Sequence, residues 1–259
     1  MLDSALVFTD LDGTLLDHHT YSFEAALPAL QALKERNIPV ILNSSKTRAE
    51  ILEIANQLGL PTAIIAENGS LIAFPDQADP VILGSSYTFI CEQLDQIRKA
   101  HTFDFQGFHD WDAAQISKVT GLSIESSKLS SQREASEPLL WNDSDSALQL
   151  FKDQLAKVGL CVKRGGRFWH VMGDTDKVKA MQHVVEHYHE NGQPKPTVIA
   201  LGDGPNDQEM ISAADIGVII HNPDGTPLAV DKRTGQKIIR TDAPGPEGWN
   251  ATLLALLTE

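Results

Sequence analysis

Residues 5–14 read ALVFTDLDGT, an apolar run from Ala5 to Thr9 that delivers Asp10, Asp12 and Gly13 at its carboxyl end. A short apolar run closed by polar residues has the character of a buried strand. Downstream, Leu27, Leu30 and Leu33 recur at helical spacing, Asn37 and Pro39 close that segment, and Val40-Ile41-Leu42 reads as a second strand. The first unit is therefore β-α-β. Ser44 and Ser45 end the second strand, Thr47 and Glu50 form a T-x-x-E capping box, and Ile51, Ile54, Ala55 and Leu58 make an apolar stripe up to Gly59. Thr62 to Ala66 is strand-like, and Glu67-Asn68-Gly69-Ser70 carries an Asn-Gly turn signal ahead of Leu71 to Phe74.

From about Pro80 to Gly173 the alternation breaks, with polar stretches such as the Ser-rich 126–131. This predicts an inserted domain over 83–173. Gly165-Gly166, between Cys161-Val162-Lys163 and Phe168 to Met172, predicts a hairpin within it. The rhythm then resumes: Asp176 can cap a helix from Lys177 to about Glu190, Asn191-Gly192 stops it, and Thr197 to Leu201 is a buried strand ending in Gly202-Asp203. Ile216 to Ile220 supplies another strand, and the Gly/Pro-rich 242–248 reads as loop before a short final helix. The expected fold is α/β: a doubly wound, Rossmann-like parallel sheet formed by 1–82 and 174–259, with an inserted α/β domain. Ligands of such sheets lie beyond the carboxyl ends of the strands, where Asp10, Asp12, Ser44 and Asp203 fall.

The chain has 259 residues, with 21 Lys and Arg against 35 Asp and Glu, a formal net charge of −14. Such a field repels nucleic acid and anionic lipid, so neither is an expected partner and an anionic substrate needs local cations. Two cysteines without a CxxC pattern exclude a disulfide framework and a structural zinc site, and fit a reducing compartment. The opening MLDSALVFTD has no basic segment before its apolar run, unlike a secretory signal, and no stretch approaches the roughly 18–20 apolar residues of a membrane span. A cytoplasmic location is expected; oligomeric state is not legible.

Asp10 and Asp12, two residues apart on extended chain, project to one side, and like charges this close call for a cation between them or a proton on one. The pattern suits bound Mg²⁺ or acid/base chemistry, although DxDGT by itself also suits a calcium loop or a charged turn. The acidic loop GDGPND at 202–207 ends another strand, and in a parallel sheet Asp203 can meet Asp10, making an oxygen-only site of the kind Mg²⁺ prefers over zinc. Lys177 opens a helix, an unfavourable place for a cation unless it serves a site.

Taken together, TDLDGT at 9–14, the strand ending in Ser44, Lys177 at a helix start and GDGPND resemble the four motifs of the haloacid dehalogenase superfamily. The resemblance implies that Asp10 is a nucleophile forming an aspartyl-phosphate and that Asp12 is the general acid and base. It further implies that Ser44 bonds a phosphoryl oxygen and Lys177 neutralises charge shared by Asp10 and the phosphate. Mg²⁺ would be held by the Asp10 carboxylate, the Asp12 carbonyl and Asp203, with Asp207 orienting this shell or binding through water, and Asn206 supporting the loop beside the substrate. The insert lies where this superfamily places its α/β C2-type cap, over 83–173, which usually selects the substrate.

Within the insert, Arg133 or Arg167 can clamp a carboxylate, Gln132 and Glu137 can meet hydroxyls, and Gly165-Gly166 allows close backbone approach. QREASEP at 132–138 can equally be a helix-to-loop joint and GGRFWH a hairpin with an inward aromatic face. More narrowly, NSSKT at 43–47, AENGS at 66–70, QREASEP, GGRFWHV at 165–171 and GDGPND resemble the mannosyl-3-phosphoglycerate phosphatase family, which makes the compatible solute mannosylglycerate. That resemblance implies a phosphorylated sugar acid contacted by Ser45, Lys46, Asn68, Gln132, Arg133, Ser136, Glu137, Gly166, Arg167, His170 and Asn206. Mannosyl and glucosyl substrates are not separable by sequence. A sucrose-phosphate-like or general sugar-phosphate phosphatase, a sugar phosphomutase and a silent binding module are the alternatives.

Overall fold

The structure is a computed structural model that describes residues 4–165, 167–189, 195–230 and 232–258. Gly166, Glu190 and the expected Asn191-Gly192 helix stop lie outside the described residues. In chain order the elements are β1 (Ala5–Thr9), α1 (Leu27–Glu35), β2 (Val40–Asn43), α2 (Arg48–Leu58), β3 (Ile64–Ala66), β4 (Leu71–Ala73) and β5 (Val81–Ile82). Next come α3 (Tyr87–His101), β6 (Phe105–Gly107), α4 (Ala113–Thr120), α5 (Ile124–Ser130), β7 (Ser136–Trp141), α6 (Asp145–Lys157), β8 (Leu160–Arg164) and β9 (Trp169–Gly173). The last are α7 (Lys177–His189), β10 (Thr197–Gly202), α8 (Gln208–Ala213), β11 (Ile216–His221), β12 (Lys237–Pro244) and α9 (Gly245–Leu256). No helix among the described residues is long and apolar enough to cross a membrane.

The chain divides into two compact units, one of residues 1–44, 55–64 and 177–259, the other of 45–54 and 65–176. In the first, strands run β12-β11-β10-β1-β2 and every neighbouring pair is parallel. All five residues of β1 are buried, as a strand flanked on both edges and covered on both faces must be. Thr9 lies opposite Leu201 on one side and Leu42 on the other, so Asp10, Ser44 and Asp203 leave the sheet at the same end. Two polar contacts fix this end and the helical layer: Trp249 Nε1 donates to Thr9 Oγ1 at 3.0 Å, and Asn250 Oδ1 caps α1 by accepting from the Ala29 N–H at 2.8 Å. The expected loop over 242–248 is instead the end of β12 and the first turn of α9. Pro246 is tolerated there because first-turn N–H groups have no intrahelical partner to lose.

The second unit holds an antiparallel sheet in the order β6-β7-β9-β8. The expected hairpin is present as β8–β9, with Cys161 opposite Met172 and the Gly165 N–H donating to the Phe168 carbonyl at 2.9 Å. Ile90, Leu94 and Ile97 of α3 and Leu148, Phe151 and Leu155 of α6 pack with Phe105, Leu139 and Val171 of the sheet. The Ser-rich stretch is not irregular: it forms α5, capped by Ser123, whose Oγ accepts the Ser126 N–H at 3.0 Å, and Ser127 and Ser130 are buried. This unit also takes in 45–54, 65–82 and 174–176, beyond the 83–173 of the expected insert. Polar ties account for that: Arg48 grips Glu134 with two bonds of 2.8 and 3.1 Å, Arg133 Nη1 donates to the Ser45 carbonyl at 3.0 Å, and Thr175 Oγ1 donates to the Gly69 carbonyl at 3.0 Å.

Candidate active site

Three segments of the first unit build the site. After β1, the chain reverses tightly: the Thr14 and Leu16 N–H groups both donate to the Leu11 carbonyl, and Gly13 has a φ of 75°. Glycine is required there twice over, since a Cβ would also stand 2.7 Å from Asp203 Oδ2. The turn aims Thr14 Oγ1 at Asp203 Oδ1, 2.8 Å away. After β10, Gly204 to Asp207 makes a single tight turn in which Asp207 Oδ2 accepts the Gly204 N–H at 3.1 Å. A Cβ on Gly202 would lie 2.5 Å from the Asp207 carboxyl carbon, so this loop too closes only on glycine. The third segment is the start of α7, where Lys177 Nζ donates to Asp10 Oδ1 at 2.6 Å and to Asp207 Oδ1 at 2.7 Å.

Asp10, Asp203, Asp207 and Lys177 are all buried, and one carboxylate oxygen from each aspartate lies within 4.8 Å of the other two. Three carboxylates against one ammonium leave two negative charges in a low-dielectric place, which is costly without a further cation. The titration behaviour expresses that shortage. Burial pushes the Asp10 carboxyl up to about 7, with the Asp207 charge adding and Lys177 opposing. Asp203 rises through burial and the Asp10 charge, and Asp207 rises through burial against the pull of Lys177. Burial works against the Lys177 ammonium, but the Asp10 and Asp207 charges outweigh it and hold the group protonated, above its ordinary value. The donor set is oxygen only, compact and two charges short of neutral, which fits a hard divalent cation such as Mg²⁺.

A family model described as haloacid dehalogenase-like hydrolase matches residues 7–226, taking in all of these loops. The chain belongs to this family. Among solved structures it is similar to a haloacid dehalogenase-like hydrolase from Bacteroides thetaiotaomicron, at 18% identity and a TM-score of 0.70 over 98% of this chain and 99% of that one. It is also similar to a phosphatase of the haloalkanoate superfamily from the same organism, at 16% identity and a TM-score of 0.67 over 98% and 94% of the two chains. A subclass IIB sugar phosphatase matches at 14% identity and a TM-score of 0.64 over 98% of each chain. The parallel-sheet core with its cap domain is thus the fold of haloacid dehalogenase-like hydrolases.

In this haloacid dehalogenase-like hydrolase, Asp10, Lys177, Asp203 and Asp207 meet directly, Ser44 is buried at the end of β2, and Asp12 is half-buried in the turn. Asn206 is exposed in its turn. The remaining expected contacts belong to the second unit, and several are engaged there. Arg133 bonds the Ser45 and Ser130 carbonyls, and Arg167 donates to the Val119 carbonyl. Gln132 is exposed and donates to the Lys128 carbonyl at 3.3 Å, while Asn68 sits in the left-handed region at φ 59°. Ser45 and Lys46 offer their carbonyls to Arg133 and to the Glu67 N–H.

Ser136 and Glu137 are buried on β7; Glu137 accepts from the Tyr87 hydroxyl at 2.9 Å and the His109 N–H at 2.8 Å, and burial pushes its carboxyl up to about 7. Burial, aided by the Arg133 charge, pushes His170 down to about 3, so its ring is neutral at physiological pH. Gly166 lies outside the described residues.

Sequence reading missed Thr14, Asn222 and Asn43. Asn222 Nδ2 donates to Asp203 Oδ2 at 2.6 Å, and Asn43 Nδ2 donates to the Lys177 carbonyl at 3.3 Å. Thr14 had a signal in the DGT triplet and Asn43 in the NSSKT segment; Asn222 arrives from the end of β11 and carries none.

Proposed function

We propose that this haloacid dehalogenase-like hydrolase is a Mg²⁺-dependent phosphomonoester hydrolase acting through an aspartyl-phosphate on Asp10. The observation that carries the reading is the Lys177 ammonium bonded to both Asp10 and Asp207 beside Asp203, at the carboxyl ends of β1 and β10. Asp10 forms a bond to phosphorus as the ester P–O bond breaks, and Asp12 gives its proton to the departing alkoxide. Asp12, now a carboxylate, takes a proton from the water that attacks phosphorus and frees Asp10 as phosphate leaves. Lys177 fixes Asp10 and offsets phosphoryl charge, while Ser44 bonds a phosphoryl oxygen. Asp10, Asp203, Asp207 and the Asp12 carbonyl are the groups that would hold Mg²⁺, which supplies charge neutralisation when bound.

The substrate in this reading is 2-O-mannosyl-3-phosphoglycerate or its glucosyl counterpart. Its support is the five separated segments NSSKT, AENGS, QREASEP, GGRFWHV and GDGPND, together with a structural neighbour described as a sugar phosphatase. Residues 83–173 act as the cap that selects this small phosphorylated sugar acid and excludes bulk water. With two cysteines and a net charge of −14, the enzyme works in the cytoplasm without nucleic-acid or membrane partners.

Phosphate release tests both levels, using mannosyl- and glucosyl-phosphoglycerate, sucrose phosphate and simple hexose phosphates, with Mg²⁺ and after chelation. Release from the phosphoglycerates alone, abolished by chelation, is expected. Equal turnover of every substrate defeats the narrow assignment, isomerisation without free phosphate makes the protein a mutase, and release from none defeats the hydrolase reading.

A further inference from the structure

Glu67 is fully buried, and its carboxylate is met by three consecutive donors of one segment. The Glu134 N–H reaches Oε1 at 2.8 Å, and the Ala135 N–H and the Ser136 hydroxyl reach Oε2 at 3.2 and 2.6 Å. The guanidinium of Arg133, itself almost wholly buried, stands further off, with Nη1 3.9 Å from Oε2. The Glu67 N–H donates to the Lys46 carbonyl at 2.9 Å, and the neighbouring Ser45 carbonyl takes Arg133 Nη1 at 3.0 Å. To make these bonds the backbone holds left-handed conformations at two successive non-glycine residues, with φ of 52° at Glu67 and 59° at Asn68. Strain of this kind persists only where surrounding interactions enforce it. A buried, acceptor-only group facing converging N–H and O–H donors is that enforcement.

We propose that Glu67 is a positioning residue for substrate recognition: it fixes 45–46, Asn68 and 133–136 relative to one another without touching substrate. The proposal rests on the reading of those segments as substrate contacts. The nucleophile, its acid/base partner, Lys177 and Asp203 belong to the other compact unit, so loss of Glu67 falls on recognition of the sugar acid rather than on phosphoryl chemistry. Glutamine at 67 keeps the shape but turns an NH₂ group toward one of the donors, leaving donor against donor.

The test compares kcat and KM of wild type, Glu67→Gln and Glu67→Asp on 2-O-mannosyl-3-phosphoglycerate and on p-nitrophenyl phosphate, which lacks the sugar acid. In Glu67→Gln, KM for the phosphoglycerate should rise at least about tenfold while kcat/KM for the aryl phosphate stays within about threefold. Glu67→Asp retains an acceptor-only group one methylene short and should fall between wild type and Glu67→Gln. If Glu67→Gln does not fold, Glu67→Asp carries the test by the same selective rise in KM. Equal losses on both substrates, or no change on either, overturn the proposal. If wild type hydrolyses the aryl phosphate but not the phosphoglycerate, the substrate reading has failed, not the role of Glu67. That role is then judged on the phosphorylated sugar wild type hydrolyses fastest, where a selective KM rise supports it and equal losses overturn it.

Discussion

Lys177 Nζ stands 2.6 Å from Asp10 Oδ1, although the two residues are 167 positions apart and the chain between them contains the entire inserted domain. The pairing follows from sheet order. Because β10 lies beside β1 in parallel register, the helix that leads into β10 begins at the end of the sheet where β1 finishes. A lysine at a helix N-terminus, disfavoured by the dipole, is held there by two carboxylates at 2.6 and 2.7 Å.

Replacing Asp10 by asparagine should abolish phosphate release, by about three orders of magnitude or more, because an amide does not attack phosphorus. The metal-free protein should nevertheless be as heat-stable as wild type or more so, since one carboxylate leaves a cluster already short of positive charge. Phosphate release and thermal unfolding in a chelator measure the two effects. A rate near that of wild type would place the nucleophile elsewhere.

Lys177→Met should act on stability in the opposite direction. It leaves Asp10 and Asp207 buried without their shared ammonium, and breaking a buried pair by removing one partner costs about 3–5 kcal/mol. Denaturant unfolding without metal should show a lower midpoint at unchanged slope, with activity lost. An unchanged midpoint would mean that the two carboxylates do not depend on this ammonium.

Residues that close a strand or open a helix were legible in the sequence, and partners set by sheet order were not. The meeting of Asp10, Asp203 and Lys177 was legible because each sits at the end of a strand or the start of a helix whose periodicity is plain. Asn222, which holds Asp203 Oδ2, was not readable, because its role depends on β11 lying beside β10 rather than on any neighbour in the chain. Helix α5 looked irregular because serine is polar, yet Ser123 caps it and Ser127 and Ser130 face inward. The grouping of 45–54 with the inserted domain was equally invisible, since it depends on side-chain bonds such as Arg48 to Glu134 that span 86 positions.

Glu137 should leave a signature in the pH dependence of stability. Burial raises its carboxyl from 4.5 in the unfolded chain to about 7, so the native state holds a proton that the unfolded state has released between those values. Its contribution is fully present below pH 4.5 and is lost as pH rises through about 7, amounting to at most about 3 kcal/mol. His170, lowered from 6.5 to about 3, slopes the other way, losing stability as pH falls through that range. The informative quantity is therefore the difference between wild type and Glu137→Gln, followed by urea unfolding from pH 4 to 8. Relative to wild type, the variant should gain stability as pH rises, and a difference independent of pH would show that Glu137 titrates normally.

Asp12→Ala separates proton transfer from phosphoryl attack. Hydrolysis of a sugar-acid phosphate expels an alkoxide, which leaves slowly unless protonated, whereas p-nitrophenolate is a stable anion and leaves without help. General acid catalysis contributes typically 10²–10⁴-fold, roughly, where it is needed. The variant should therefore lose about that much kcat on mannosyl-phosphoglycerate and markedly less on p-nitrophenyl phosphate in forming the phosphoenzyme. Because the proposed mechanism also has Asp12 take a proton from the hydrolytic water, the steady-state comparison has to be joined by the burst of p-nitrophenol in the first turnover. A retained burst followed by slow turnover is the expected pattern, with phosphate trapped on Asp10. Equal loss of the burst and of sugar-acid turnover would mean that Asp12 supports the loop or the metal site and does not protonate the leaving group.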